Sequence, residues 1–471
     1  MLELSSEDIT EGPLLRALLV LAAPLLVQQL ALVANQVADL VFLGRFSGAA
    51  VAGVSLAFPA VVLLFAVVAV GPFVGTQVLV SQRVGADDRA GARRALGTGM
   101  VTAVTLALAV GAIAYLAAPA LVDLLTAVRP EGTAPAVEAA AVDYLRVVAL
   151  GLAAIGLGDT LEAGFVGWGD SRASLYINLA TVGTNVVLDP VLIFGFQPLG
   201  IPSLGVAGAA LALVCGSLAA FLLGAAMLAA GRAEGLVGRE TVRLHTGEVR
   251  ELLDIGAPSA AQQMARQSVR LVIVVVVFAA AGGAGLAAYF VGSRVAAVAF
   301  VPAIGLQQAA QSVVGQNLGA ERPGRAGRAT WLGAGVAVAG LTVVGLAQWL
   351  VPGPLATLLV PELGGEALAL SEQYLRILAY GYPAIGAAYL LEGGFNAARR
   401  TRTSFLATLA QFWVVRLPIA AAGVFVLGYG VQSVFWAVTI SNVLVAVGLA
   451  VYYRREVDGG MLGRAAETAS G

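Results

Sequence analysis

Apolar runs of about twenty residues or more follow one another along this chain with short polar breaks. That is the length at which a helix rising about 1.5 Å per residue crosses a hydrocarbon layer about 30 Å thick. The runs fall near 17–43, 49–78, 95–119, 139–166, 174–196, 205–230, 251–280, 284–306, 327–351, 372–395, 404–428 and 431–453. The pattern predicts an all-α membrane protein with twelve transmembrane helices. Only AAAGGAG, at 279–285, separates the seventh run from the eighth.

The pattern also repeats. APLLVQQ at 23–29 returns as APSAAQQ at 257–263, and QRVGADDRAGARRA at 82–95 returns as QNLGAERPGRAGRA at 316–329, both 234 positions on. YLRVVALGLAAIG, followed by LEAGF at 161–165, returns as YLRILAYGYPAIG and LEGGF at 391–395, 230 positions on. Shared Pro, Gln, Tyr, Arg and Glu anchors within apolar runs mark a duplication. Six spans per copy is an even number, so both copies enter from the same side and relate by an axis along the membrane normal. The expected organisation is a six-helix bundle over 1–230, a polar cytoplasmic linker over 231–250, a second six-helix bundle over 251–453 and a polar cytoplasmic tail over 454–471. A substrate cavity is expected between or within the bundles.

Arginine placement sets the orientation. Arg83, Arg94, Arg172, Arg239, Arg243, Arg322 and Arg402 are among those that follow even-numbered spans, whereas the loops after odd-numbered spans hold only Arg45 and Arg129. Both termini are therefore expected in the cytoplasm, with the chain in the plasma membrane. Composition agrees: 59% of residues are hydrophobic and 12% charged, against about a quarter charged in soluble domains. A net charge of −1 implies no nucleic-acid partner. Cys215 is the single cysteine, which excludes an intramolecular disulfide or a thiolate metal site. The single histidine, His245, lies between apolar runs, so a titrating group within the membrane must be Asp or Glu.

Asp39 and Asp189 interrupt apolar runs, at about 2.5–3.5 kcal/mol each for a mid-membrane position. Their counterparts in the second copy are Ile273 and Ile419, so only the first half carries them. Each follows an asparagine by four residues, Asn35 and Asn185, a spacing that stacks both side chains on one helix face. Helical rise places Asp39 roughly 33 Å and Asp189 roughly 24 Å from the cytoplasmic entry. Pro190 frees a backbone carbonyl one turn back, near Val186. Such an oxygen-rich pocket suits one of two cations: a proton, because burial and like charge both oppose a pair of carboxylate anions, or sodium, a hard cation. A purely structural hydrogen bond between Asp39 and Asn185 is the alternative.

Other embedded polar residues read differently. Glu162 and Glu392 are equivalent, each ten residues before an arginine, Arg172 or Arg402; a carboxylate satisfied by helix ends or a nearby arginine is expected. Tyr144 with Tyr374, and Arg146 with Arg376, lie at span ends, where interfacial anchoring and snorkelling are routine. Arg266 and Arg270 sit four apart on span seven. Facing a cavity, they would contact substrate or a carboxylate; a later membrane entry would leave Arg266 near the surface. Arg294 and Arg416 are embedded without an evident partner. Pro24 and Pro258 should kink the first span of each copy.

Together these segments resemble the multidrug and toxic compound extrusion (MATE) transporters. DITEGPLLRALLVLAAP is similar to the family's entry into its first span, NQVADLVFLGRFSGAAVAGVS to its first-span aspartate and following loop, SQRVGADDRAGARRA to its first cytoplasmic loop, and TNVVLDP to the fifth-span motif of archaeal and DinF-like members. The resemblance covers almost the whole chain and implies two pseudo-symmetric six-helix lobes. It also implies a secondary antiporter that expels cationic or amphipathic, drug-like compounds in exchange for H+ or Na+, without other cofactor and as a monomer in the lipid bilayer. By motif, Asp39, Asn185 and Asp189, with Asn35, match the cation site, and the first three would be metal ligands if the ion is Na+. Tyr144 matches a cavity-lining tyrosine, and Gln36, Arg266 and Arg270 are grouped with the substrate cavity. Where some archaeal members carry a sixth-span threonine, GVAGAALALVCGS offers Cys215 and Ser217. Two alternatives stand beside export: a lipid-linked oligosaccharide flippase of the same superfamily, for which cavity arginines would meet a diphosphate, and a polytopic membrane transferase, for which the longer loops supply no catalytic constellation. No enzymatic activity is expected.

Overall fold

The structure, a computed structural model, describes residues 6–126, 134–238, 241, 246–360 and 363–470. Arg129, Arg239, Arg243 and His245 lie outside the described residues. Among those described, every regular element is helical, and the backbone pairs in β fashion only at the isolated bridge between Phe196 and Ile201.

In chain order the helices are α1 (Ser6–Thr10), α2 (Leu14–Phe46), α3 (Gly48–Phe65), α4 (Gly71–Gly85), α5 (Arg89–Thr126), α6 (Pro135–Trp168), α7 (Ser171–Phe194), α8 (Gly205–Ala229), α9 (Thr246–Ala299), α10 (Val301–Gly319), α11 (Pro323–Leu350), α12 (Pro352–Leu359), α13 (Gly365–Ala397), α14 (Thr401–Leu409), α15 (Leu417–Ala421), α16 (Val431–Asp458) and α17 (Met461–Ser470). Wider π-helical turns at Ala66–Val70 join α3 to α4, and others at Ala410–Arg416 and Ala422–Val426 carry the eleventh span through α14 and α15. Among the described residues, ten helices are long and apolar enough to cross a membrane. One of them breaks at Ala281 and Gly282, where the backbone leaves helical geometry; the glycine takes φ +52°, a conformation open to a residue without Cβ. This break, inside AAAGGAG, separates spans seven and eight. With α13 as span ten the count reaches twelve.

The chain divides into two compact units: Val27–Ala260, and Met1–Leu26 together with Ala261–Gly471. The boundaries fall inside α2 and α9, two residues beyond Pro24 and Pro258. The first span of each copy thus begins in one unit and continues in the other.

In the first unit α6 is central and packs against α3, α4, α5, α7 and α8. Small residues allow the close approach that helix packing in lipid depends on. A Cβ on Gly208 of α8 would sit 2.5 Å from the Leu192 carbonyl oxygen of α7, and one on Gly216 would sit 2.7 Å from that of Thr181. These two glycines lay α8 along the stretch of α7 that carries Asn185 and Asp189. At the start of α9, Glu248 meets Arg83 at 3.1 Å, Arg94 at 2.9 Å and Thr98 at 3.3 Å.

In the second unit α13 is central and packs against α10, α11, α12, α14 and α16. The loop equivalent to the one bearing Arg83 grips the chain before span one: Arg322 reaches the Thr10 carbonyl at 2.8 Å and Glu11 at 2.5 Å, and Arg325 bonds the Gly12 carbonyl. Asp87 and Glu321, 234 positions apart, both take left-handed φ, +55° and +58°. The duplication therefore extends to backbone turns. The segment expected as a polar tail is helical: α16 runs to Asp458, and α17 buries Met461, Leu462, Ala465, Ala466 and Ala469 against α10, α11 and α16.

Candidate functional site

Within the first unit, α2 and α7 bring the four expected residues of the cation site together. Asn35 Nδ2 donates to Asp39 Oδ2 at 3.4 Å. With its amide nitrogen turned inward, Asn185 donates to Asp39 Oδ1 and Asn35 Oδ1, both at 2.8 Å, while its oxygen accepts from the Leu213 N–H of α8 at 3.1 Å. The reverse orientation would set acceptor against acceptor. The carboxyl groups of Asp39 and Asp189 lie close enough to interact directly, and a single proton shared between them would relieve the like-charge repulsion. Asp189 is fully buried, and its Oδ1 has no hydrogen-bond partner.

Tyr144 of α6 is partly buried and lies close enough to feel both carboxylate charges. An interfacial anchor would stand clear of such a pocket, so its placement matches the cavity expectation better than the anchoring one. Gln36, next to Asn35 on the helix, is exposed and is not part of this cluster. Ser217 bonds back to the Leu213 carbonyl of its own helix at 3.2 Å, and Cys215 is partly buried. No group of three or more His, Cys, Asp or Glu with metal-site geometry occurs among the described residues. Oxygens of Asp39, Asp189 and Asn35 are thus gathered in one cluster, where Asn35 Oδ1 accepts from Asn185 and the Asn185 oxygen is committed to α8.

The equivalent glutamates differ. Glu162 accepts from Gln28 Nε2 at 2.5 Å and from Ser174 Oγ at 2.9 Å, and Ser174 also lies 2.8 Å from Gln28 Oε1. Asp159, one turn earlier on α6, is close enough to act on it by charge. Glu392 instead forms an ion pair with Arg266 at 2.9 Å, the guanidinium lying 5.5 Å above the Tyr389 ring centroid. The arginine that serves Glu392 thus comes from span seven, 126 residues earlier in the chain, across the bundle, whereas sequence spacing pointed to Arg402, ten residues on. Arg270 is exposed and makes a long contact, 3.5 Å, with Gln267 Oε1. Arg416 donates from Nε to Ser441 Oγ at 2.9 Å and from a terminal nitrogen to Asn442 Oδ1 at 2.7 Å, and stacks 4.2 Å from the Phe412 centroid.

Sequence reasoning passed over Asp159, Gln28 and Ser174. A polar residue inside an apolar span was the available signal, visible for Asp159 in GLGDT and for Gln28 in the repeated QQ.

The MatE family model matches the chain twice, over residues 24–191 and 258–422, one match in each half. The chain belongs to the MatE family. Members of this family are transporters, not enzymes. Among curated relatives, a probable multidrug resistance protein NorM of Pseudomonas aeruginosa is 29% identical over 462 residues, covering 96% of this chain and 90% of that protein. An FAD transporter of Shewanella oneidensis is 26% identical, covering 94% of each. Among solved structures, the outward-facing conformation of a multidrug resistance MATE family transporter of the MOP superfamily aligns with TM-score 0.87 at 21% identity, over 97% of this chain and 99% of that one. At that identity the likeness carries the MatE fold alone.

Proposed function

We propose that this MatE protein exports small amphipathic, drug-like molecules across the cytoplasmic membrane in exchange for protons, with Asp39 and Asp189 as the coupling site. The observation that carries the reading is the carboxyl pair: Asp189, fully buried, and Asp39, partly buried, stand close together, and among the described residues neither forms an ion pair with an arginine. A structural ion pair would supply a permanent counter-charge, as Arg266 does for Glu392. Here a mobile proton serves instead. Sodium is the second reading, since the unpartnered Asp189 Oδ1 is a free hard ligand, but the Asn185 oxygen faces α8 and would have to turn. The relatives named for multidrug resistance support the export half of the proposal.

Coupling follows from linkage: if the proton and the substrate favour different states of the first unit, each weakens the other by the same factor. The proline of α2 lies just before the helix passes from one unit to the other, so α2 is the element on which protonation of Asp39 would act. The arginine distribution supports cytoplasmic termini, and the proposal takes one chain as the working unit.

Proteoliposomes given a pH gradient, or separately a sodium gradient, test the ion. Substrate movement driven by the pH gradient and indifferent to sodium is expected; transport driven by sodium alone transfers the site to the second reading.

A further inference from the structure

The second unit holds cations where the first holds acids. Asp39 and Asp189 correspond to Ile273 and Ile419, while Arg266, Arg270 and Arg416 correspond to Leu32, Gln36 and Val186. Arg270 and Arg416 therefore stand one turn before the positions that mirror the aspartates, on the same two spans. Arg416 lies about 22 Å along its helix from Thr401, deep enough that an unpaired charge is costly and calls for a partner. Its hydrogen bonds go to a hydroxyl and an amide, and among the described residues it forms no ion pair. Arg266 and Arg270 lie within charge range of it. Glu392 is already paired with Arg266, so it neutralises one guanidinium of the three. The remaining two have no carboxylate partner among the described residues.

The local helix is also unusual. Ala410–Arg416 winds in wide π turns, a geometry that is rare and concentrates at functional sites, whereas α7 is an ordinary α-helix through the equivalent positions. Beside Arg416 stand Tyr289 and Tyr374, stacked at 5.8 Å, with Tyr374 in turn stacked on Phe435 at 4.3 Å.

We propose that Arg416 and Arg270, beside the Tyr289–Tyr374 stack, form an anion subsite that receives a carboxylate or phosphate carried by an aromatic substrate. Planar guanidinium forks suit such groups, and Tyr289, which is only partly buried, suits the ring system, backed by Tyr374 buried between Tyr289 and Phe435. Zwitterionic aromatic compounds then join the transported class alongside cations. This inference rests on the export reading and narrows its substrates.

A matched pair of dyes isolates the contribution of the anion. Rhodamine 110 carries a free carboxylate, and rhodamine 123 is its methyl ester; the ring system is shared. Binding to the purified full-length protein in detergent, followed by fluorescence anisotropy, is expected to favour the acid about tenfold. Arg270→Gln should cut that ratio to about threefold, and Arg416→Gln should bring it to about one, with ester binding changed less than twofold. Should Arg416→Gln fail to fold, Arg416→Lys, which keeps the charge and loses the fork, should reduce the ratio to an intermediate value. Equal binding of acid and ester by the unmodified protein overturns the subsite and leaves export standing, as does equal weakening of both dyes by the substitutions. Failure of both dyes to bind overturns export as well. If added phosphatidylglycerol abolishes the acid's advantage, a lipid headgroup occupies the site and the substrate assignment falls.

Discussion

Two glutamates, Glu162 and Glu392, occupy the same place in the two halves of this chain, and they have been satisfied in opposite ways. Glu162 has an amide and a hydroxyl; Glu392 has Arg266 in addition to the amides of Gln262 and Gln307 nearby. The same divergence runs through the interior of both units, where one carries Asp39, Asp159 and Asp189 and the other has Ile273, Tyr389 and Ile419 at those places and carries Arg266, Arg270 and Arg416. Duplication preserved the helices and the turns at Asp87 and Glu321. It did not preserve the sign of the charge in the membrane. A shared scaffold can thus be read from what the halves keep, and function from what they do not.

Substitutions should separate the halves in order of effect. Asp189→Asn removes the titratable group at nearly unchanged size, and proton-driven transport in proteoliposomes should fall to the level of protein-free vesicles; transport retained at normal protein density would refute the coupling assignment. Arg266→Leu, which installs the first-half residue, strands the buried Glu392 and should cost about 3–5 kcal/mol, read as a lowered thermal midpoint in detergent. Adding Glu392→Gln should restore most of it, since the buried charge is then gone. Gln28→Leu, at the place equivalent to Gln262, leaves Glu162 with Ser174 and should cost about 1–3 kcal/mol in the same assay. If Gln28→Leu proves the more damaging of the two, the contrast between the glutamates is wrong. Arg322→Gln loosens an exposed pair, 41% and 52% accessible, and should change stability by less than about 1 kcal/mol.

Much of this was legible in the sequence because bilayer thickness dictates it. Span length, the duplication and the cost of an aspartate in lipid are one-dimensional facts, and they located Asp39, Asn185 and Asp189 before any coordinates. Partner choice is different. Whether Glu392 meets Arg402 ten residues on or Arg266 across the bundle depends on how helices are rotated about their axes, and apolar faces of similar composition carry little information about rotation. The inward turn of the Asn185 amide depends on Leu213, a residue whose side chain has no part in it: Gly208 and Gly216 bring its backbone N–H within reach. The tail was misjudged because α17 is short and only half apolar, so its buried face emerges only once α10, α11 and α16 offer a surface.

The two prolines near the unit boundaries bear on how such a chain could have arisen. Each repeat hands its leading stretch, up to Leu26 or Ala260, to the other unit. A half-length ancestor would then have been incomplete by itself and would have closed its fold by exchanging arms with a second copy, a low-cost route to dimers. Gene fusion would have tied an existing swapped pair together, freeing each side to take its own charge.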